Sequence, residues 1–159
     1  MSQVNFTDLT NSPVFAGMAA TEIGYLSSIF TINQLQAGKT VFVENMPGES
    51  LYLIKQGRVK ISQMLAEVDE VDLITLGTGD VFGEMAVIDG GHRVVRASIE
   101  KDAILYSLNR KSFNALVSEK PRLGLQLTLN IVRIFSARIR HAKNDYRTML
   151  TASLARKSK

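Results

Sequence analysis

Residues 82–99 read "FGEMAVIDGGHRVVRASI": a glutamate inside an apolar run, two adjacent glycines, and two arginines three apart. Charges in so apolar a stretch need a reason, because a carboxylate or guanidinium taken out of water is costly unless something pairs with it. Gly83 breaks a very short strand at Val81 and Phe82, and Glu84 to Ile88 read as one helical turn. The first N–H groups of such a turn lack intrahelical partners and favour an anion. At Ala86 no bulky side chain would keep a ligand from that backbone.

Arg93 lies nine residues beyond Glu84, past the Gly90–Gly91 link, and is expected to begin a strand that runs back beside the turn. A guanidinium there can meet an anion with two parallel charge-assisted bonds. Glu84, an acceptor only when ionised, is suited to hydroxyls rather than to phosphate. The pair therefore points to a ligand carrying both a phosphate and a free hydroxyl, such as a ribose phosphate. An internal Glu84–Arg93 salt bridge that merely pins the loop is the competing reading. Strand side chains alternate, so Arg93 and Arg96 face opposite ways, and the nine-residue step assigns Arg93 to the site and Arg96 to solvent or an interface.

Outward from this segment the chain is mainly β with flanking helices. "TINQLQ", "TVFVE", "SLYLIKQ", "RVKISQM", "EVDLITL", "RASIE" and "AILYSL" are short, rich in β-branched or aromatic residues, and separated by glycine or acidic turns. With Val81–Phe82 they make roughly eight strands, which predicts an antiparallel β-roll, a jelly-roll-like barrel. "MPGES" and "KQGRV" are read as turns, and the acidic "LAEVDEVD" as the tip of a hairpin. A short N-terminal helix precedes the roll, with Ile23, Leu26 and Phe30 at helical intervals.

After the roll, "NRKSFNALVSEKP" predicts a short helix ended by the approach to Pro121. A long helix is expected from Pro121 to about Leu154. This divides the chain into a roll with its N-terminal and following short helices over 1–120, a C-terminal dimerisation helix over 121–154, and a basic tail over 155–159. Leu123, Leu127, Ile131 and Ile134 form one stripe suited to the roll. Leu125, Thr128, Val132, Phe135, Ile139, Ala142, Tyr146 and Met149 form a second, heptad-like stripe that predicts a homodimer through residues 125–149.

Charge is uneven: residues 1–118 hold 9 basic and 13 acidic side chains, and residues 119–159 hold 10 and 2. A solvated helix face is the preferred reading of the basic end, with contact to nucleic acid or an acidic partner as the other. No apolar run is long enough to span a bilayer, no basic-plus-apolar leader opens the chain, and a cytoplasmic location is expected. With zero cysteines, disulfide and thiolate chemistry are excluded. His92 and His141 stand far apart, so a clustered metal site of the kind a cupin needs is not expected, and His92 reads as a loop residue near the ligand. No nucleophile–base constellation and no phosphate loop of the nucleotide hydrolases occurs, so catalysis is not expected.

"FGEMA", the nine-residue step to Arg93, and the continuation to "NRKSF" resemble the phosphate-binding cassette of cyclic nucleotide-binding domains. These are the domains of protein kinase A regulatory subunits, cyclic nucleotide-gated channels and bacterial catabolite activator proteins. "PVFAGMAATEIGYLSSIF" resembles that family's leading helix and "AGKTVFVENMPGESLYLIKQGRVKI" its barrel opening. The resemblance implies a β-roll with helical flanks that binds cyclic AMP or cyclic GMP. By position it implies Glu84 on the ribose 2′-hydroxyl, Gly83 and Ala86 as backbone contacts, and Arg93 on the cyclic phosphate. Met85, Val94 and Val95 complete the lining, and Ala142, Lys143 and Asn144 fall where the base is contacted. Val94 carries no hydroxyl for guanine, so cyclic AMP is the expected ligand. Only "TASLARKSK" follows Leu150, so direct DNA binding is not expected. The chain is either a stand-alone sensor acting on an unidentified protein partner or a piece of a longer regulator.

Overall fold

The computed structural model describes residues 3–158, the side chains of Tyr146 and Met149 excepted. Two 3-10 turns, Thr7–Leu9 and Pro13–Phe15, lead into helix α1, Ala20–Ile29. The strands are β1 Thr31–Leu35, β2 Thr40–Phe42, β3 Ser50–Met64, β4 Glu70–Leu76, β5 Val81–Phe82 and β6 Arg96–Asn109. Helix α2, Glu84–Asp89, lies between β5 and β6, and α3, Arg110–Glu119, and α4, Pro121–Lys157, follow. All pairings are antiparallel, in the order β1-β6-β3-β4, with β2 also on β6 and β5 also on β3. The expected β-roll with flanking helices is the observed fold.

Among the described residues six strands replace the roughly eight expected, because β3 and β6 each run through a point read as a break. "KQGRV" is not a turn: Gly57 lies inside β3 at φ +99°, where the β3–β6 register shifts. A Cβ there would lie 2.4 Å from the Asp102 carbonyl oxygen and 2.6 Å from the Ala103 Cα. The glycine thus forms a bulge that lets a distant strand come close. Arg93 also precedes its strand rather than beginning it. Its N–H donates to the Met46 carbonyl at 2.8 Å, its carbonyl accepts from Asn45 at 2.8 Å, and β6 starts at Arg96.

Alternation along the central strands builds two cores. Leu51, Leu53, Val81, Tyr106 and Leu108 face the helices, with Leu26, Phe113, Leu116, Leu123, Leu127 and Ile131. Phe42, Ile54, Val59, Ile61, Leu76, Phe82, Ala97 and Leu105 fill the roll. The first α4 stripe is buried as expected, with Ile134 packed at its margin. Gly124 permits the close crossing of α3, since a Cβ would lie 2.9 Å from the Val117 Cα. Asn130, 1% exposed, donates to the carbonyls of Val14 and Ala16 at 2.9 Å each. Its own carbonyl accepts from Gln126 at 3.1 Å and Arg133 at 3.2 Å, so this buried amide is fully used and clasps α4 to the N-terminal segment.

Beyond Ile134 the helix leaves the roll and extends to Lys157, three residues past the expected end, so residues 155–157 of the expected basic tail are helical. Leu125, Val132 and Ile139 of the second stripe are exposed along it. Tyr146 and Met149, at the far end of that stripe, have side chains outside the described ones. Among the described residues no helix is long and apolar enough to cross a membrane.

Candidate functional site

Phe82 ends β5 and hands the chain to Gly83, which takes φ +75° as the N-cap of α2. No L side chain sits comfortably there: a Cβ would lie 2.8 Å from Arg93 Nη1 and 3.2 Å from the Ser50 carbonyl oxygen. Gly90 closes α2 at φ +74°, donating to the Ala86 carbonyl. Two left-handed glycines thus bracket six helical residues and turn the chain back toward Arg93.

Arg93 is 6% exposed. Nη1 donates to the Gly83 carbonyl at 2.8 Å and Nη2 to the Ser50 carbonyl at 2.7 Å. The guanidinium carbon lies 4.0 Å from the centre of the Phe42 ring. Nε, like those of Arg96 and Arg110, is buried with no hydrogen-bond partner among the described residues. Burial pushes the Arg93 pKa down, Tyr52 and Glu84 pull it up, and Arg110 lowers it as a neighbouring cation. An arginine nonetheless remains charged at physiological pH. A buried cation holding an unused N–H is a site an anion would complete.

Glu84, 8% exposed, makes no ion pair among the described residues. The pairs there are Arg58–Glu100, Lys60–Asp72, Arg96–Glu70 and His141–Asp145. Glu84 and Arg93 thus act on each other through space, as the upward pull on Arg93 records, without a direct ion pair. Arg96 faces the other way, near Glu70 at 4.0 Å and donating to Thr40 Oγ1 at 3.1 Å.

One cavity of about 60 Å³ brings together Gly83, Glu84, Met85, Ala86, Arg93, Val94 and Val95, with Phe42 and His92. It can take a small anionic group, while anything larger must lie over the rim, where Met85 and Val94 are exposed. Ala142, Lys143 and Asn144 are exposed on α4 and are not part of this lining.

Four supports escaped the sequence reading. Gly48 lets α2 approach, since a Cβ there would fall 2.0 Å from the Ala86 Cβ. Ser50 contributes only its carbonyl. Phe42 covers the guanidinium face, and its ring lies 6.0 Å from Phe82 and 6.2 Å from Tyr52. Arg110 donates to the carbonyls of Gly48 and, at 2.9 Å, Ala86, fastening α2 and the 48–50 turn to the start of α3. Backbone acceptors carry no residue signature, and only the "PG" of the turn and the "NR" before α3 hint at them.

Among curated proteins the chain is 28% identical over 137 residues to a CRP-like cAMP-activated global transcriptional regulator of Mycobacterium tuberculosis (strain CDC 1551 / Oshkosh). That match covers 86% of this chain and 59% of the relative. Among solved structures it is similar to the Thermus thermophilus catabolite activator protein, with 30% identity and a TM-score of 0.76 over 87% of this chain and 63% of that one. A cyclic nucleotide-binding domain from Methylobacillus flagellatus shares the fold at a TM-score of 0.82 and 22% identity, covering 88% and 81% of the two chains. The chain thus spans about three fifths of the first curated relative's length. Residues 32–120 match the model of the cyclic nucleotide-binding domain, and the chain belongs to that family.

Proposed function

We propose that this chain is a non-catalytic cyclic nucleotide sensor whose ligand is cyclic AMP. The observation that carries the reading is Arg93: a buried guanidinium whose Nε has no partner among the described residues, beside a buried Glu84 that makes no ion pair among them, in one small cavity. Arg93 takes the cyclic phosphate. Glu84 accepts from the ribose 2′-hydroxyl, and the backbone at Gly83 and Ala86 lines the approach. The base lies over the apolar rim of Met85 and Val94, which has no hydroxyl to favour guanine. Ala142, Lys143 and Asn144 reach it only if α4 of this or a second copy moves over the pocket.

The exposed stripe Leu125, Val132 and Ile139 supports a homodimer through α4. Ligand drives the output to the extent that it prefers one arrangement of α2 and α4 over another. The output goes to a protein partner if the chain acts alone, and to the joined domain if it is a piece of a longer regulator. A ligand-blind module using its basic helix is the second reading, and it is favoured by the two carbonyls that already hold Arg93. Thermal melting with and without millimolar cyclic AMP or cyclic GMP separates the two, because a ligand specific to the native state raises the midpoint by mass action. The sensor reading expects a rise of several degrees with cyclic AMP and less with cyclic GMP. No rise with either supports the ligand-blind module.

A further inference from the structure

The carbonyls of Gly83 and Ser50 fix two edges of the Arg93 guanidinium, and they leave its tilt about that line free. What sets the tilt is the ring of Phe42, whose centre lies 4.0 Å from the guanidinium carbon. Phe42 is itself held: it is buried at the end of β2, and the rings of Tyr52 and Phe82, stacked on each other with centroids 5.1 Å apart, stand behind it. Gly83 keeps the gap between ring and guanidinium clear, since a Cβ there would meet Phe42 at 3.3 Å as well as Arg93.

A ring face attracts a cation through its quadrupole, and the attraction grows when water is excluded, as it is around this buried group. Held this way, the guanidinium stands in the wall of the cavity with its Nε buried and unpaired among the described residues before any ligand arrives. We propose that Phe42 is a positioning residue for anion binding: its ring electrostatics, and not only its volume, orient and stabilise Arg93 for the phosphate. The inference rests on the reading of the pocket as a cyclic nucleotide site. It adds a residue that touches the arginine and that acts on the ligand through it.

The test is calorimetric titration of cyclic AMP into the full chain carrying phenylalanine, 4-fluoro-, 3,5-difluoro- or 3,4,5-trifluorophenylalanine at position 42. Fluorine withdraws charge from the ring face while nearly preserving its shape. A Kd that weakens stepwise with each fluorine, by about tenfold across the series, is expected from a desolvated cation–π contact. Phe42→Trp is expected to bind at least as well as the difluoro protein, and Phe42→Leu to bind worst. Because Phe42→Leu also opens the core, the fluorinated series, which keeps the packing, decides. A flat series in a protein that binds cyclic AMP overturns the role of Phe42 and leaves the pocket reading intact. Absence of binding in the wild type overturns the pocket reading and this role with it.

Discussion

At the scale of single residues the site is an exercise in close approach. Gly83 and Gly48 exist to let Arg93, Ala86 and the 48–50 turn occupy nearly the same space. Gly83→Ala combines a left-handed backbone with a 2.8 Å encounter, and should cost about 1–3 kcal/mol in urea unfolding while weakening ligand binding. A mutant of unchanged stability would contradict the geometry. Tyr52 offers a pH test. Burial raises its pKa above the ordinary 10.0, with Arg93 pulling the other way. A phenol that holds its proton more tightly when folded contributes stability below the unfolded pKa and loses it as pH rises through the folded one. The urea midpoint should therefore fall more steeply above pH 10 in the wild type than in Tyr52→Phe. The conspicuous residues Gly83, Glu84 and Arg93 could be read from sequence because glycine, carboxylate and guanidinium are rare in an apolar run. Phe42, Gly48, Ser50 and Arg110 could not, since what matters there is a ring face, a missing Cβ or a carbonyl reached from far along the chain.

At the scale of elements, what periodicity could reveal was revealed. The stripe Leu123, Leu127, Ile131 packs on the roll, and the hairpin tip falls in the acidic run between β3 and β4. Gly57 was misread because a bulge and a turn use the same residue, and only the approach of Asp102 and Ala103, some forty-five positions away, distinguishes them. Asn130 was missed for a similar reason: an amide on a helix reads as solvent-facing until Val14 and Ala16 arrive to receive it. Asn130→Leu leaves the Val14 carbonyl without its donor and the Ala16 carbonyl with Gln126 alone, and should cost about 1–3 kcal/mol, measurable by chemical denaturation. An effect within about 0.5 kcal/mol, typical of a surface change, would mean the clasp is dispensable. The far half of α4 makes a complementary prediction. Ile139→Glu should leave the melting of the roll unchanged and convert a sedimenting dimer to monomer at micromolar concentration, because a buried unpaired charge is far costlier in a seam than on a free helix. A wild type that already sediments as a monomer would remove the seam.

For the whole molecule, the parts form one mechanical line. The cavity is walled by α2, and Arg110 ties α2 to α3. Gly124 seats α3 against α4, and Asn130 ties α4 to the N-terminal turn. Small movements at α2 therefore have a packed route to the long helix, as a sensor whose ligand biases a two-state arrangement requires. Everything along that route depends on whether an anion completes Arg93. The direct measurement is isothermal titration of cyclic AMP into the wild type and Arg93→Ala, with both proteins first shown to melt cooperatively. The wild type should bind with one site per chain, and Arg93→Ala should bind at least a hundredfold more weakly, as loss of a buried charge-assisted pair demands. Equal affinity in the two proteins would contradict the assignment of Arg93 to the phosphate and, with it, the account of the site.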